Sequence, residues 1–190
     1  KTNVVESLTT TKEDHYISAL EEGKTYILAA AEAPKGYVKA FYVTFTVTAD
    51  MESATVVMKD AKITAKKTDI SGTKEVEGAE MIVTDEKGTI VDKWISGKEE
   101  HSISGLEAGK KYTLTEKAAP NSFVKAESIE FTAGGDKNQS LVMKDKQYTV
   151  SKKDASVKNY VEGAKLEVRD EQDRVVDSWT TTKEDHYVSG

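Results

Sequence analysis

Three ionisable residues stand where alternating strands call for apolar ones: Lys67 in ITAKKTD, Glu116 in YTLTEKAAP and Asp145 in SLVMKD. By type alone, such residues are usually solvated or form a surface ion pair. Buried together, they would have a different chemistry. Burial disfavours charge, so it lowers a lysine pKa and raises those of carboxyl groups. A neutral amine is a nucleophile and an ammonium is not. A protonated carboxyl is an electrophile and a carboxylate is not. A second protonated carboxyl can donate to the carbonyl oxygen and move protons as water leaves. The fold would supply the effective concentration. The reaction would occur once per molecule, as self-modification rather than turnover. Two neighbours compete for these places. Lys66 adjoins Lys67 and faces the other side of a strand, so a register slip of one residue would exchange them. Asp69 is a second carboxylate close to Lys67, and its position suits the opening of the following turn.

The segments that carry these residues have a period of two. YVTFTV (42–47), MIVTD (81–85), YTLTE (112–116), SIEFTA (128–133) and KLEVRD (165–170) alternate apolar and polar side chains and are rich in Val, Ile, Thr, Phe and Tyr. That pattern predicts half-buried strands. ILAAAEA (27–33) is compatible with a helix, but it aligns with the strand-like YTLTEKA (112–118) and is expected to be extended. Turn signals such as EKG (86–88), EAGKK (107–111), PNS (120–122) and GGDKN (134–138) separate short strands, the spacing of a β-sandwich. GGDKN is expected to be a loop rather than a phosphate cradle, because no helix follows it.

The sequence also repeats itself. TTTKEDHY stands at 9–16 and again at 180–187, and IVDKWISGKEEHSIS (90–104) is a looser copy of the surrounding stretch. VVMKD and LVMKD end at Asp60 and Asp145, 85 positions apart, and Lys67 and Lys152 share that spacing, as do VEGAEM (76–81) and VEGAKL (161–166). A fixed period marks one structural unit used repeatedly. The expected organisation is an all-β tandem array of small sandwich domains. Residues 61–146 form a complete unit, 1–60 the back part of a preceding unit and 147–190 the front part of a following one. Almost no linker separates them, which favours a stiff rod.

Composition narrows the function. The net charge of −6 argues against nucleic acid as a partner. No apolar run is long enough to span a membrane as a helix. With no cysteine, disulfides, thiolate metal sites and cysteine nucleophiles are excluded. His15, His101 and His186 occupy one repeat position, a full domain apart, so they cannot share a metal within a chain. Trp94, Trp179 and Leu8 share another position and are expected in the core. Phe41 and Tyr42 replace Glu127 and Ser128 and leave an apolar spot, open to a neighbouring unit, a ligand or neither.

The order K-x-D, V-E-G-A, W-I-S, G-L-E-A-G-K-K-Y-T-L-T-E-K-A-A-P and V-M-K-D resembles the Cna protein B-type (SpaA-like, prealbumin-like) repeats of Gram-positive surface adhesins and pilins. The resemblance covers the middle unit and both partial ones. It implies an immunoglobulin-like sandwich. It also implies a spontaneous isopeptide bond between a buried lysine on the first strand and an Asn or Asp on the last, assisted by a glutamate on a central strand. By position Lys67 matches the lysine, Asp145 the acyl partner and Glu116 the assisting acid. The implied role is a stalk repeat of a cell wall-anchored surface protein, with neighbouring repeats as partners, no cofactor, no metal and no catalytic turnover. A ligand-binding adhesin module that meets a host surface, or an accessory domain of an extracellular enzyme, is the alternative.

The partial units depart from this pattern. Lys152 matches Lys67, and Asp60 matches Asp145, but each lacks its own partner within the chain. Ala30 stands where Glu116 does one repeat later, and Glu32 is out of register for the role. Together the two partial units make one whole, so head-to-tail self-association, with Lys152 of one molecule meeting Asp60 of another, is a further expectation.

Overall fold

The structure is a computed structural model and describes residues 3–49 and 54–188. Every regular element among them is a strand. The first part holds β1 (Thr25–Leu28) and β2 (Val43–Thr46). The middle part holds β3 (Ile63–Asp69), β4 (Glu80–Asp85), β5 (Ile90–Ile95), β6 (His101–Ser102), β7 (Lys111–Ala118), β8 (Ile129–Thr132) and β9 (Gln139–Asp145). The last part holds β10 (Tyr148–Val150), β11 (Lys165–Arg169), β12 (Val175–Thr180) and β13 (His186–Val188). Of the run 27–33, expected to be extended, Ile27 and Leu28 close β1, and 29–33 form neither strand nor helix.

In the middle part the strands form two sheets, ordered β6-β3-β9 and β5-β4-β7-β8. The period-two pattern places one apolar face of each sheet inward. Ile63, Ala65, Ile103, Leu141 and Met143 from the first sheet meet Met81, Val83, Tyr112, Leu114 and Phe131 from the second in one buried core. β3 and β9 run parallel, in register from Ile63 opposite Gln139 to Asp69 opposite Asp145. The chain therefore enters this unit at one pole and leaves it at the other.

The same pairings recur in the partial units. β1 and β2 pair as β7 and β8 do, and Tyr26 stacks on Phe45 at 5.9 Å much as Tyr112 stacks on Phe131 at 5.8 Å. β10 pairs with β13 as β3 pairs with β6, and β11 with β12 as β4 with β5, down to a register shift at the equivalent residue. Residues 54–60 form no strand among the described residues, although they lie one repeat before β9. β9 draws its ladder from β3, and among the described residues no strand pairs with 54–60.

The first and middle parts meet through backbone. Val38 is fully buried and donates its N–H to the carbonyl of Ala61 at 2.8 Å. Lys39 donates to Leu106, and Ala108 donates back to Lys39. Phe41 lies against the middle unit: a side chain on Gly109 or Gly135 would come within 2.9 Å of its ring. Of the apolar spot read from the sequence, the Phe41 ring touches the neighbouring unit while remaining 59% exposed, and Tyr42 is 66% exposed. The tryptophan position lies at the margin of the core. Trp94 is partly buried against it, and Leu8 is 39% exposed. Each tryptophan stacks on a histidine, Trp94 on His101 at 4.0 Å and Trp179 on His186 at 3.9 Å. His101 in turn contacts Asp92, which clips β6 to β5.

Candidate functional site

Alternation carries Lys67, Glu116 and Asp145 into the core. Ile63, Ala65 and Lys67 point inward along β3, Tyr112, Leu114 and Glu116 along β7, and Leu141, Met143 and Asp145 along β9. Lys67 and Asp145 thus lie on neighbouring strands of one sheet, and Glu116 faces them from the other. Lys67 is 3% exposed, and both acids are fully buried. Lys67 Nζ donates to Glu116 Oε2 at 3.0 Å and to Asp145 Oδ1. Lys66 faces outward and pairs with Glu75 at 2.7 Å, so the strand register selects Lys67. Asp69 opens the turn after β3, where its Oδ1 accepts from the N–H groups of Gly72, Thr73 and Lys74.

The electrostatics of this cluster are those of a site with little solvent. Desolvation pushes the Asp145 carboxyl up to about 6, against the pull of the Lys67 ammonium, and the Glu116 carboxyl beside it adds to the rise. Ionised, the two carboxyls would repel, and taking both charges from water is costly. One oxygen of each acid, Glu116 Oε1 and Asp145 Oδ2, is buried without a hydrogen-bond partner. Buried oxygens without partners are rare and call for a reason.

Two supports for this cluster carry no obvious mark in the sequence. The carbonyl of Lys67 accepts from Val76 N–H at 3.0 Å. The carbonyl of Val76 accepts from Ser96 Oγ at 2.7 Å, and Ser96 Oγ accepts from Ala79 N–H. The V-E-G-A turn thus anchors the lysine strand through a buried hydroxyl. Thr181 does the same for Val161 and Ala164 in the last part, whose Val161 donates to the carbonyl of Lys152. The second support is Ala126, whose N–H donates to Glu116 Oε2 at 2.7 Å. A backbone donor is invisible to residue-type reasoning. The hydroxyl was findable: Ser or Thr stands after W-I or W-T at the same position of both repeats.

The other sequence candidates lie apart from this cluster. Lys152 and Asp60 are both exposed. Ala30 is half-buried and Glu32 exposed, so the first part presents no acid at the place of Glu116.

The family described as SpaA, prealbumin-like fold domain, matches residues 61–147. The match covers the middle unit, a little under half of the chain. The match begins just before β3 and ends where β9 hands over to β10. Solved structures similar to the chain include the TIE protein of Bacillus anthracis, at 22% identity over 86% of this chain and 33% of that one, with a TM-score of 0.38. The shaft pilin SpaA of Lactobacillus rhamnosus GG matches at 14% identity, over 66% of this chain and 65% of its own, with a TM-score of 0.35. A group B streptococcus pilus 2b backbone protein matches at 17% identity, over 63% and 52%, with a TM-score of 0.41. The chain thus spans a third to two thirds of these proteins. No curated protein matches it.

Proposed function

We propose that the chain is a load-bearing stalk segment of an extracellular, cell wall-anchored surface protein. Its middle unit is closed by an isopeptide bond between Lys67 Nζ and Asp145 Cγ. The observation that carries this reading is the buried contact of Lys67 Nζ with both Asp145 Oδ1 and Glu116 Oε2, on strands that enter and leave the unit. In the reaction the neutral amine attacks Cγ of protonated Asp145. One Nζ proton passes to Glu116, a proton from Glu116 reaches the departing oxygen, and water leaves. Glu116 ends with the proton count it began with. The family match over residues 61–147 supports a structural role over catalytic turnover, and neighbouring repeats are the partners the junction geometry serves.

Intact mass tests this directly. The purified chain is expected to weigh one water less than its sequence, and Lys67→Ala and Glu116→Gln to restore the full mass. Full mass in the unaltered chain would reduce the three residues to a buried polar cluster. A second water lost in oligomers alone would place a further bond between Lys152 of one molecule and Asp60 of another.

Before the bond forms, Asp145 makes stability depend on pH. Its folded pKa lies above its ordinary 3.8, at about 6, so the folded state holds the proton more tightly. That contribution is full below about pH 4 and is lost as pH rises through about 6, a change of about 3 kcal/mol. Glu116→Gln keeps Lys67 and Asp145 unlinked, and its urea midpoint is expected to be higher at pH 4.5 than at pH 7.5. An equal or lower midpoint at pH 4.5 would mean that desolvation does not govern Asp145.

A further inference from the structure

We infer that the connection from β7 to β8 is a positioning strap for the crosslinking reaction, and that the backbone N–H of Ala126 is its working group. The inference rests on the proposed isopeptide bond and concerns how its geometry is set. Two hydrogen bonds from this one connection bracket the site. Val124 N–H donates to the carbonyl of Lys146, the residue next to Asp145, at 2.8 Å. Ala126 N–H donates to Glu116 Oε2 at 2.7 Å. The strap therefore ties the acyl strand and the assisting acid to a single stretch of backbone. It is itself shaped by a turn in which Phe123 N–H donates to the Pro120 carbonyl and Ser122 takes a φ of 77°.

The Ala126 bond decides what each glutamate oxygen does. Oε2 faces two donors, Ala126 N–H and Lys67 Nζ, so a proton on that oxygen would meet one of them. Oε1 is left without a partner, as Asp145 Oδ2 is. Oε2 is then the oxygen that accepts the proton leaving Nζ, and Oε1 the one that delivers a proton to the aspartate oxygen departing as water. Without the Ala126 donor the carboxyl is free to turn about its last bond and lose this division of labour. The first part of the chain gives an internal comparison. Its strap keeps the outer bond, Val38 N–H to Ala61, while Ala30 leaves the inner one without a carboxyl acceptor.

The test uses the 190-residue chain made by chemical synthesis, so that no molecule has folded before dilution from denaturant starts the clock. Folding is followed by tryptophan fluorescence and water loss by mass. Ala126→Gly keeps the N–H and is expected to crosslink at the parental rate. Ala126→Pro, and a backbone ester that replaces this N–H by oxygen, are expected to fold yet lose water about 10- to 100-fold more slowly, the scale of a small misplacement of reacting groups. An ester chain that folds and crosslinks at the parental rate overturns the strap and leaves the bond standing. A parental chain that folds and loses no water overturns the bond reading itself. The ester alters one atom pair, so it decides the matter should the proline variant fail to fold.

Discussion

Lys67→Ala is expected to lower the melting temperature of the middle unit by about 20–30 °C, because each kcal/mol shifts a domain of this size by roughly 4–8 °C. The size follows from the loop that the proposed bond would close. Lys67 and Asp145 are 78 positions apart, and on the chain-entropy account of crosslinks such a closure stabilises by about 4–5 kcal/mol. The unit is otherwise held by noncovalent packing. Its core is that of a small domain, and with no cysteine it holds no disulfide. The substitution also strands two buried carboxyls beside each other without the ammonium that both contact, which adds to the loss. Glu116→Gln separates the two effects: it keeps the Lys67–Asp145 pair, gives up one ion pair, and removes the means of forming the bond. Calorimetry of both variants at neutral pH, beside the unaltered chain, is the measurement. A difference of a few degrees in both would show that noncovalent packing carries the unit and that no bond contributes.

The sequence made some of this legible and hid the rest for physical reasons. The strands that hold the three residues were readable because half-buried sheets impose a period of two. Lys67, Glu116 and Asp145 were readable because they interrupt that period on its inward phase, four and two positions after Ile63 and Ala65, Tyr112 and Leu114, Leu141 and Met143. The period also separated Lys66 from Lys67. Sequence did not show which sheet each strand joins. The parallel pairing of β3 with β9 is a contact between strands about 70 residues apart, and nothing local encodes it. Nor did it show the supports. Ser96 is a small polar residue at a strand end, and its role depends on a turn that begins 20 residues earlier. Ala126 acts through its backbone, which every residue but proline shares. The Trp position misled for a different reason. A tryptophan in an apolar-polar alternation suggests core, but Trp94 meets His101 on one face, and the stack places it at the edge.

Stretching an array by its ends is expected to leave the crosslinked unit at nearly its folded length. Glu116→Gln should release about 270 Å more, at about 3.5 Å for each of 78 residue steps. The register of β3 and β9 explains why. Tension enters at Ile63 and leaves after Asp145, and the two strands run parallel side by side. Pulling their opposite ends apart loads the whole ladder between them in shear. With the bond in place, the covalent path runs from Ile63 to Lys67, crosses to Asp145 and continues into β10. Everything between Thr68 and Lys144, both faces of the sandwich included, is bypassed. The position of the bond matters as much as its existence. A crosslink at the Ile63 end of the same ladder would leave most of β9 in the load path, whereas Lys67 and Asp145 sit where the chain exits. Single-molecule pulling of the unaltered chain and the Glu116→Gln variant between identical handles reads the difference as one missing extension step. If both lengthen alike, the bond is absent or does not carry the load, and the stalk reading loses its mechanical basis. If only the variant lengthens, the residues that would unravel under force are those the bond takes out of the path, and the unit resists tension by chemistry rather than by the strength of its sheets.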